Sequence, residues 1–258
     1  MRPLKRQHVD TPLGPVTFTD QGAGAPVVAV HGAPGSARDF RRLGEALGDR
    51  ARLIAVDMPG SGGTPSRAWT DHDPVYAAAL TGAFIEALGL ERPVLLGHSF
   101  GSAIVAEVAA EVPARGLAFV AAMTRGVHLP LRLTRGLRLS RVVRSSLGRR
   151  LLMPPLRAVG PQLGFSPRLT DAQVVGAFHA TALVDLARHR GNLDALTVPC
   201  FVAWADDDRL IHANLQVELS EALPPGGRLR LDHGGHNVQS TRAVEIADAL
   251  ASWISALG

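Results

Sequence analysis

The amino-acid sequence predicts an α/β domain with a mostly parallel central sheet, helices on both of its faces and one helical insertion. Five apolar runs are uninterrupted rather than alternating, which is typical of strands buried on both faces of a parallel sheet. These runs are Val27–Val30, Leu53–Val56, Val94–Leu96, Leu117–Val120 and Phe201–Trp204. Longer helical patterns separate them, and this alternation favours parallel strands. One long stretch, residues 125–192, contains no such run.

The remaining elements follow from local patterns. Val16–Thr19 is expected in an antiparallel hairpin at the edge of the sheet, and the short run Leu229–Leu231 is expected as the last strand. Helices are expected over residues 37–48, 75–89, 100–111, 213–223 and 241–256. The sequence shows no internal repeat.

Residues 125–192 are interpreted as a helical cap, or lid, inserted into a core formed by residues 1–124 and 193–258. Five prolines are expected to divide the cap into short helical pieces, at positions 130, 154, 155, 161 and 167. No Asp or Glu occurs between Glu111 and Asp171, whereas arginines recur at positions 132, 135, 138, 141, 144, 149, 150 and 157. A spacing of three precesses by about 60° per step around a helix, so the arginines are expected to spiral rather than form one stripe.

Composition limits the classes of partner. The 258 residues carry a formal net charge of only +4, and 19% of them are charged. A small excess of this kind is a weak indication of nucleic-acid binding. We therefore expect a small-molecule substrate, no nucleic-acid partner, no stable membrane insertion, and a monomer or homodimer.

The chain also gives no sign of membrane or secretory targeting. The most apolar stretch, residues 100–123, is interrupted by Glu107, Glu111, Pro113 and Arg115, and no apolar segment follows the charged start. The single cysteine, Cys200, lies in an apolar run and is expected to be a buried strand residue. A cytoplasmic protein fits these observations best.

The segment Gly97-His-Ser-Phe-Gly101 contains the pattern Gly-x-Ser-x-Gly between a predicted strand and a predicted helix. A sharp strand-to-helix turn crowds the backbone, and flanking glycines relieve that crowding. The turn places Ser99 at a helix N-terminus, where developing negative charge is favoured. Ser99 is therefore the candidate nucleophile, the alternative being a structural serine at a tight turn.

The chain resembles the α/β-hydrolase superfamily, in its serine-nucleophile (esterase- and lipase-like) branch, over nearly its whole length. The segments that carry the resemblance are His31–Gly35, Asp57–Gly62, Gly97–Gly101, Trp204–Asp208 and Gly234–His236. The resemblance implies an α/β-hydrolase fold with an oxyanion hole formed by the backbone N–H groups of Ala33 and Phe100. It implies structural roles for His31 and His98, and an architectural role is expected for Asp57.

Acid and base are expected in the order serine, acid, histidine. His236 is the preferred base, because its Gly-His context matches the family, and His233 is the competitor. Asp206, Asp207 and Asp208 all follow the strand ending near Trp204, and the family spacing counts to Asp208.

These residues predict a serine hydrolase, with Ser99, Asp208 and His236 as its triad, that cleaves a carboxylic ester or related acyl bond of a small apolar substrate. Lactonase, thioesterase and carbon–carbon bond hydrolase are alternatives with the same triad. A lyase and a non-catalytic ligand-binding protein are alternatives of other classes. No metal-ligand cluster is apparent and no cofactor is expected. A serine nucleophile argues against the dehalogenase and epoxide-hydrolase branches, which use aspartate there. The arginines of the cap either form a solvated face, which we favour, or recruit an anionic substrate.

Overall fold

A central eight-stranded sheet organises the computed structural model, which describes residues 4–126, 128, 132, 139–163 and 165–258. The spatial order of the strands is β1-β2-β4-β3-β5-β6-β7-β8. Strands β1 and β2 form an antiparallel hairpin, β2 is antiparallel to β4, and the other neighbours are parallel. The strands are β1 (Arg6–Thr11), β2 (Gly14–Gln21), β3 (Pro26–Val30), β4 (Arg52–Val56), β5 (Val94–His98), β6 (Gly116–Val120), β7 (Cys200–Ala205) and β8 (Arg228–Leu231).

Helices pack on both faces of this sheet, as the sequence predicts. The α-helices of the described residues are α1 (Arg41–Leu47), α2 (Pro74–Ala87), α3 (Gly101–Val108), α4 (Leu139–Arg144), α5 (Ser146–Val159), α6 (Asp171–Leu183), α7 (Leu186–Asp194), α8 (Ala213–Ala222), α9 (Val238–Thr241) and α10 (Ala243–Ser255). The helix expected over residues 37–48 begins with a 3₁₀ turn, Ala37–Phe40, before α1. The expected mostly parallel α/β sheet and its edge hairpin are confirmed.

The uninterrupted apolar runs are explained by burial on both faces. Successive residues of β3 alternate between two hydrophobic clusters: Val28 belongs to the cluster that contains Phe84 and Phe119, and Val27 to the one that contains Phe40. Because both faces are covered, no position of such a strand favours a polar residue. Cys200 lies in this core, and burial raises the pKa of its thiol to about 12.

Helices α4 to α7 lie between β6 and β7, in the stretch for which a cap is expected. They include a small hydrophobic cluster of their own around Val143, Met153 and Val175. Three residues named in the prediction lie outside the described residues: Pro130, Arg135 and Arg138. The six described arginines of the series are all exposed. The division of the chain into core and cap domains stays a prediction.

The expectation that every proline divides the cap into separate pieces is wrong at one place, because α5 runs through Pro154 and Pro155. A proline removes the N–H that would bind the carbonyl four residues earlier. Those carbonyls belong to Arg150 and Leu151, which are exposed, so water can replace the missing donors.

Across the described ranges, none of the helices combines the length and the apolar character needed to cross a bilayer.

Candidate active site

The turn between β5 and α3 holds Ser99 in a strained conformation that its glycine neighbours make possible. Ser99 has φ of +50°, which is uncommon for a residue with a side chain. A Cβ atom on Gly97 would lie 2.4 Å from the Ser102 Cα, and one on Gly101 would lie 2.2 Å from the Val30 carbonyl oxygen. Only glycine fits at either position, and the close packing presents Ser99 beyond the end of the strand.

Three predicted residues meet at this turn. The Ser99 hydroxyl donates to Nε2 of His236 at 2.8 Å, and Nδ1–H of His236 donates to Oδ2 of Asp208 at 2.8 Å. The side chains of His236 and Asp208 are only 8% and 0% exposed. The side chain of His233, the competing histidine, is exposed. The backbone carbonyl of His233 accepts a hydrogen bond from Arg242.

Both oxygens of the Asp208 carboxylate accept hydrogen bonds. Its Oδ1 accepts from the backbone amides of Leu210, at 2.8 Å, and Ile211, at 3.1 Å. Burial disfavours its charged form, but the hydrogen bond from His236 and those two amides outweigh burial. The pKa of Asp208 therefore lies below its ordinary value. An ionised carboxylate at this place fixes the His236 tautomer with the proton on Nδ1.

The loop that carries His236 is anchored by Asp207 and by His98, for which the resemblance implied a structural role. Oδ1 of Asp207 accepts from the amides of Gly234, at 2.9 Å, and Gly235, at 2.7 Å. Nε2–H of His98 donates to the His236 carbonyl oxygen at 3.0 Å. Burial, with the nearby His236, lowers the pKa of His98 to about 3, so His98 is neutral.

The adjacent glycine-rich turn, residues 31–35, lies against the nucleophile. A Cβ atom on Gly32 would be 3.1 Å from the Ser99 Cβ. Ala33 and Phe100 line one small cavity of about 30 Å³, and among the described residues neither backbone N–H has a protein acceptor. Two free N–H groups beside a nucleophile are what an oxyanion hole requires.

His31 and Asp57 fix the geometry of that turn. His31 accepts from the Met58 amide through Nε2, at 3.0 Å, and donates from Nδ1 to the Gly32 carbonyl, at 2.7 Å. Asp57 is buried and accepts from the amides of Ala37 and Gly63. Both contacts agree with the architectural roles expected for these residues.

An apolar cavity of about 590 Å³ adjoins the site. Residues of α5 and α6 form much of its lining, including Leu152, Leu156 and Phe178, and Ala33 and Leu210 border it from the core. Ser99 does not line this cavity. The cavity borders the site at Ala33, in the turn of residues 31–35, and at Leu210, two residues after Asp208.

Sequence reasoning missed Ser102 as a supporting residue, and it missed the contact of Asp207 with the loop that carries His236. Ser102 donates to the Ser99 carbonyl at 2.5 Å and accepts from the Met123 amide at 2.8 Å. The doublet Asp207-Asp208 is a signal that could have indicated two roles, since a second carboxylate beside an acid needs donors of its own. No sequence signal distinguishes Ser102, because its partners come from the preceding turn and from the segment after β6.

Comparison with known proteins agrees with the topology. The family model described as the alpha/beta hydrolase fold matches residues 25–146. A solved structure titled as a thermophilic esterase from Thermogutta terrifontis superposes with a TM-score of 0.77 at 20% identity, covering 98% of this chain and 99% of that one. The chain therefore has the α/β-hydrolase fold.

Relatives of this α/β-hydrolase-fold chain carry different names. It is 24% identical to the "Magnesium-chelatase 30 kDa subunit" of Rhodobacter capsulatus over 94% of this chain and 92% of that protein. It is 30% identical to "Haloalkane dehalogenase 2" of Mycobacterium bovis over 42% of this chain and 38% of that protein. The fold therefore does not by itself select a reaction.

Proposed function

We propose that this chain is a serine hydrolase that cleaves a carboxylic ester or related acyl bond of a small, largely apolar substrate. The observation that carries the proposal is the continuous hydrogen-bonded arrangement of Ser99, His236 and Asp208, with 2.8 Å at each step. A hydroxyl is a weak nucleophile without a base in contact, and a base needs an orienting acid.

The reaction proceeds in two acyl-transfer steps. Ser99 Oγ attacks the substrate carbonyl carbon while its proton passes to Nε2 of His236. The imidazolium then gives that proton to the leaving group as the carbon–oxygen bond breaks, which leaves an acyl-serine. Water, deprotonated by His236, attacks the acyl-serine, and the proton returns to Ser99 as the carboxylic acid departs. Asp208 stays ionised and stabilises the charged imidazole.

The amides of Ala33 and Phe100 stabilise the oxyanion of each tetrahedral intermediate. Support comes from their position on the two turns that meet at Ser99 and from their lack of a protein acceptor within the described residues. By analogy with mutational data, such a donor contributes about 3–4 kcal/mol to the transition state.

The apolar cavity beside Ala33 and Leu210 receives the acyl group. Its lining from α5 and α6 would withdraw an alkyl chain or ring from water. Residues 125–192 then act as a cap that supplies most of this lining, over a core formed by residues 1–124 and 193–258.

The test uses a fluorophosphonate probe and p-nitrophenyl esters of increasing acyl length. We expect labelling and turnover in the wild type, and loss of both in Ser99→Ala, because the nucleophile is gone. Ser255→Ala, which removes an exposed hydroxyl of α10 far from the site, is the matched control and keeps both activities. Asp208→Asn should lower kcat by about 10⁴-fold, because the wrong His236 tautomer is favoured.

The alternatives predict different results. Labelling without ester turnover would direct the search to lactones, thioesters or carbon–carbon bonds. Absence of both reactions in folded wild-type protein would contradict the hydrolase proposal and favour a ligand-binding member of the fold.

A further inference from the structure

A second, polar groove of about 810 Å³ lies beside the apolar cavity. We name it the arginine groove, after Arg6, Arg38, Arg41 and Arg168 in its wall. These arginines come from the hairpin strand β1, from the first helical turns after β3, and from the segment before α6. Residues distant in the sequence thus converge on one concave surface.

The side chains that line this groove carry mostly positive charge. Asp39 is the acidic residue of its lining, and Asp39 Oδ2 accepts from the Ser36 amide at 3.0 Å. Arg41 pairs with Glu45, whereas no acidic partner is recorded for Arg6, Arg38 or Arg168 in the part of the chain that the structure describes. Several guanidinium groups with one carboxylate between them favour an anion.

A buried, unpaired amide lies in the wall of the groove. Gln239 lines the groove and is 0% exposed, and neither its Oε1 nor its Nε2 has a partner among the described residues. Leaving a buried amide unpaired costs about 1–3 kcal/mol per group. An unpaired amide in this wall adds a polar group to the arginines that line the groove.

The groove and the apolar cavity share part of their walls. Pro34, Ser166 and Leu169 line both, and Pro34 follows Ala33 of the candidate oxyanion hole. On the other side the groove is bounded by residues that follow His236, including Ser240 and Thr241. An elongated molecule could therefore pass from the cavity, past the oxyanion turn, into the groove.

We propose that the substrate is amphiphilic: its acyl group occupies the apolar cavity and a phosphate-bearing leaving group occupies the arginine groove. This inference rests on the proposed hydrolase function. Phosphate is favoured because planar guanidinium forks bind its oxygens in pairs. The volume of the groove, about 810 Å³, accommodates a headgroup larger than a single phosphate.

Matched substrate pairs test this assignment. Decanoyl-coenzyme A is compared with the neutral thioester decanoyl-N-acetylcysteamine, and decanoyl-lysophosphatidylglycerol with the neutral ester 1-decanoylglycerol. We expect kcat/KM to be at least about tenfold higher for the phosphate-bearing member of one pair, equivalent to about 1.4 kcal/mol. The pair with the larger ratio identifies a soluble thioester or a phospholipid as the source of the phosphate.

The double variant Arg38→Gln/Arg168→Gln should reduce that selectivity ratio by about tenfold or more, and high ionic strength should reduce it as well. Arg92→Gln/Arg115→Gln is the charge-matched control. Arg92 and Arg115 lie just before β5 and β6, at the amino ends of two central strands and away from the carboxyl ends where Ser99 and Arg38 follow their strands, so their replacement should leave the ratio unchanged. Equal kcat/KM within both pairs, or a ratio that falls equally in the two double variants, would overturn the inference.

Binding separates this inference from the hydrolase proposal. The dissociation constant of decanoyl-coenzyme A and of decanoyl-lysophosphatidylglycerol is measured by calorimetry with Ser99→Ala, alone and combined with Arg38→Gln/Arg168→Gln. Arginine-dependent binding without wild-type hydrolysis would support the groove and contradict the hydrolase. Hydrolysis of the neutral substrates without arginine-dependent binding would support the hydrolase and contradict the groove.

Discussion

Three consecutive aspartates after β7 have different partners, although their side chains are identical. Asp206 pairs with Arg230 at the surface, Asp207 accepts from two loop amides, and Asp208 accepts from His236. The direction in which each backbone position points at the end of the strand decides which partner it meets. At the scale of the residue, the role of each aspartate is therefore set by its position in the structure and not by its chemical type.

Asp207 provides a prediction at this scale. Asp207→Ala removes the acceptor of the Gly234 and Gly235 amides, so the loop should hold His236 less precisely and kcat should fall by about tenfold. Asp207→Asn keeps an oxygen acceptor and should retain most of the wild-type kcat. The measurement is kcat and KM on a p-nitrophenyl ester, with circular dichroism to establish folding. Equal activity of the alanine variant and the wild type would contradict the anchoring role.

The β5–α3 turn is the element on which the site depends. Its glycines allow α3 to start directly beside β3, where a Cβ atom on Gly101 would approach the Val30 carbonyl oxygen. The same compactness forces Ser99 to a positive φ. Packing of the element thus maintains the strain of the nucleophile.

A pair of glycine variants tests this element. Gly97→Ala places a methyl group against the backbone of Ser102, so it should destabilise the fold by about 3 kcal/mol or more. Gly191→Ala lies in the exposed interior of α7 with no atom within 4 Å of the new Cβ, and should stabilise by about 0.5–1 kcal/mol. Urea unfolding measures both. A similar free energy of unfolding for the two variants would contradict this account.

A further contact links the segment after β4 to helices α4 and α6. The Arg144 guanidinium of α4 lies 4.6 Å from the centre of the Trp69 ring, and the His179 ring of α6 meets Trp69 edge to face at 5.4 Å. Trp69 is 42% exposed and lies in the segment between β4 and α2. Its partners make Trp69 a contact between the segment after β4 and helices α4 and α6.

At the scale of the whole molecule, several histidines are buried in neutral form. Burial, as the largest cause, lowers the pKa of His98 to about 3 and those of His128 and His189 to about 4. Their pKa in the unfolded chain is about 6.5. Between these values the unfolded chain binds protons that the folded chain does not, so acidification destabilises the fold.

The free energy of unfolding should therefore fall as the pH decreases from about 6.5 to about 4. Each of these histidines contributes up to about 1.4 kcal/mol per pH unit. His189→Gln should lower the slope, whereas the exposed His212→Gln should not. Asp208 adds its own loss only below about pH 3.9, because its pKa is depressed in the fold. Urea titrations across this range check the slope, and a pH-independent midpoint would contradict it.

The sequence by itself determined the alternation of strands and helices, because two-sided burial demands continuous apolar runs such as Val27–Val30. It also determined the turn around Ser99, because only glycine satisfies the steric demands at positions 97 and 101. These are local requirements, and local requirements leave a pattern in the chain.

Only the tertiary structure decided which charges and cavities meet. The contact of Asp207 with the loop before His236, and the convergence of Arg6, Arg38 and Arg168 on one groove, join residues far apart in the sequence. A residue that contributes only to such a long-range contact leaves no recognisable local pattern in the sequence. In the arginine groove, Arg168 precedes α6, whereas the other arginines belong to β1 and to the segment after β3, and no sequence pattern connects them.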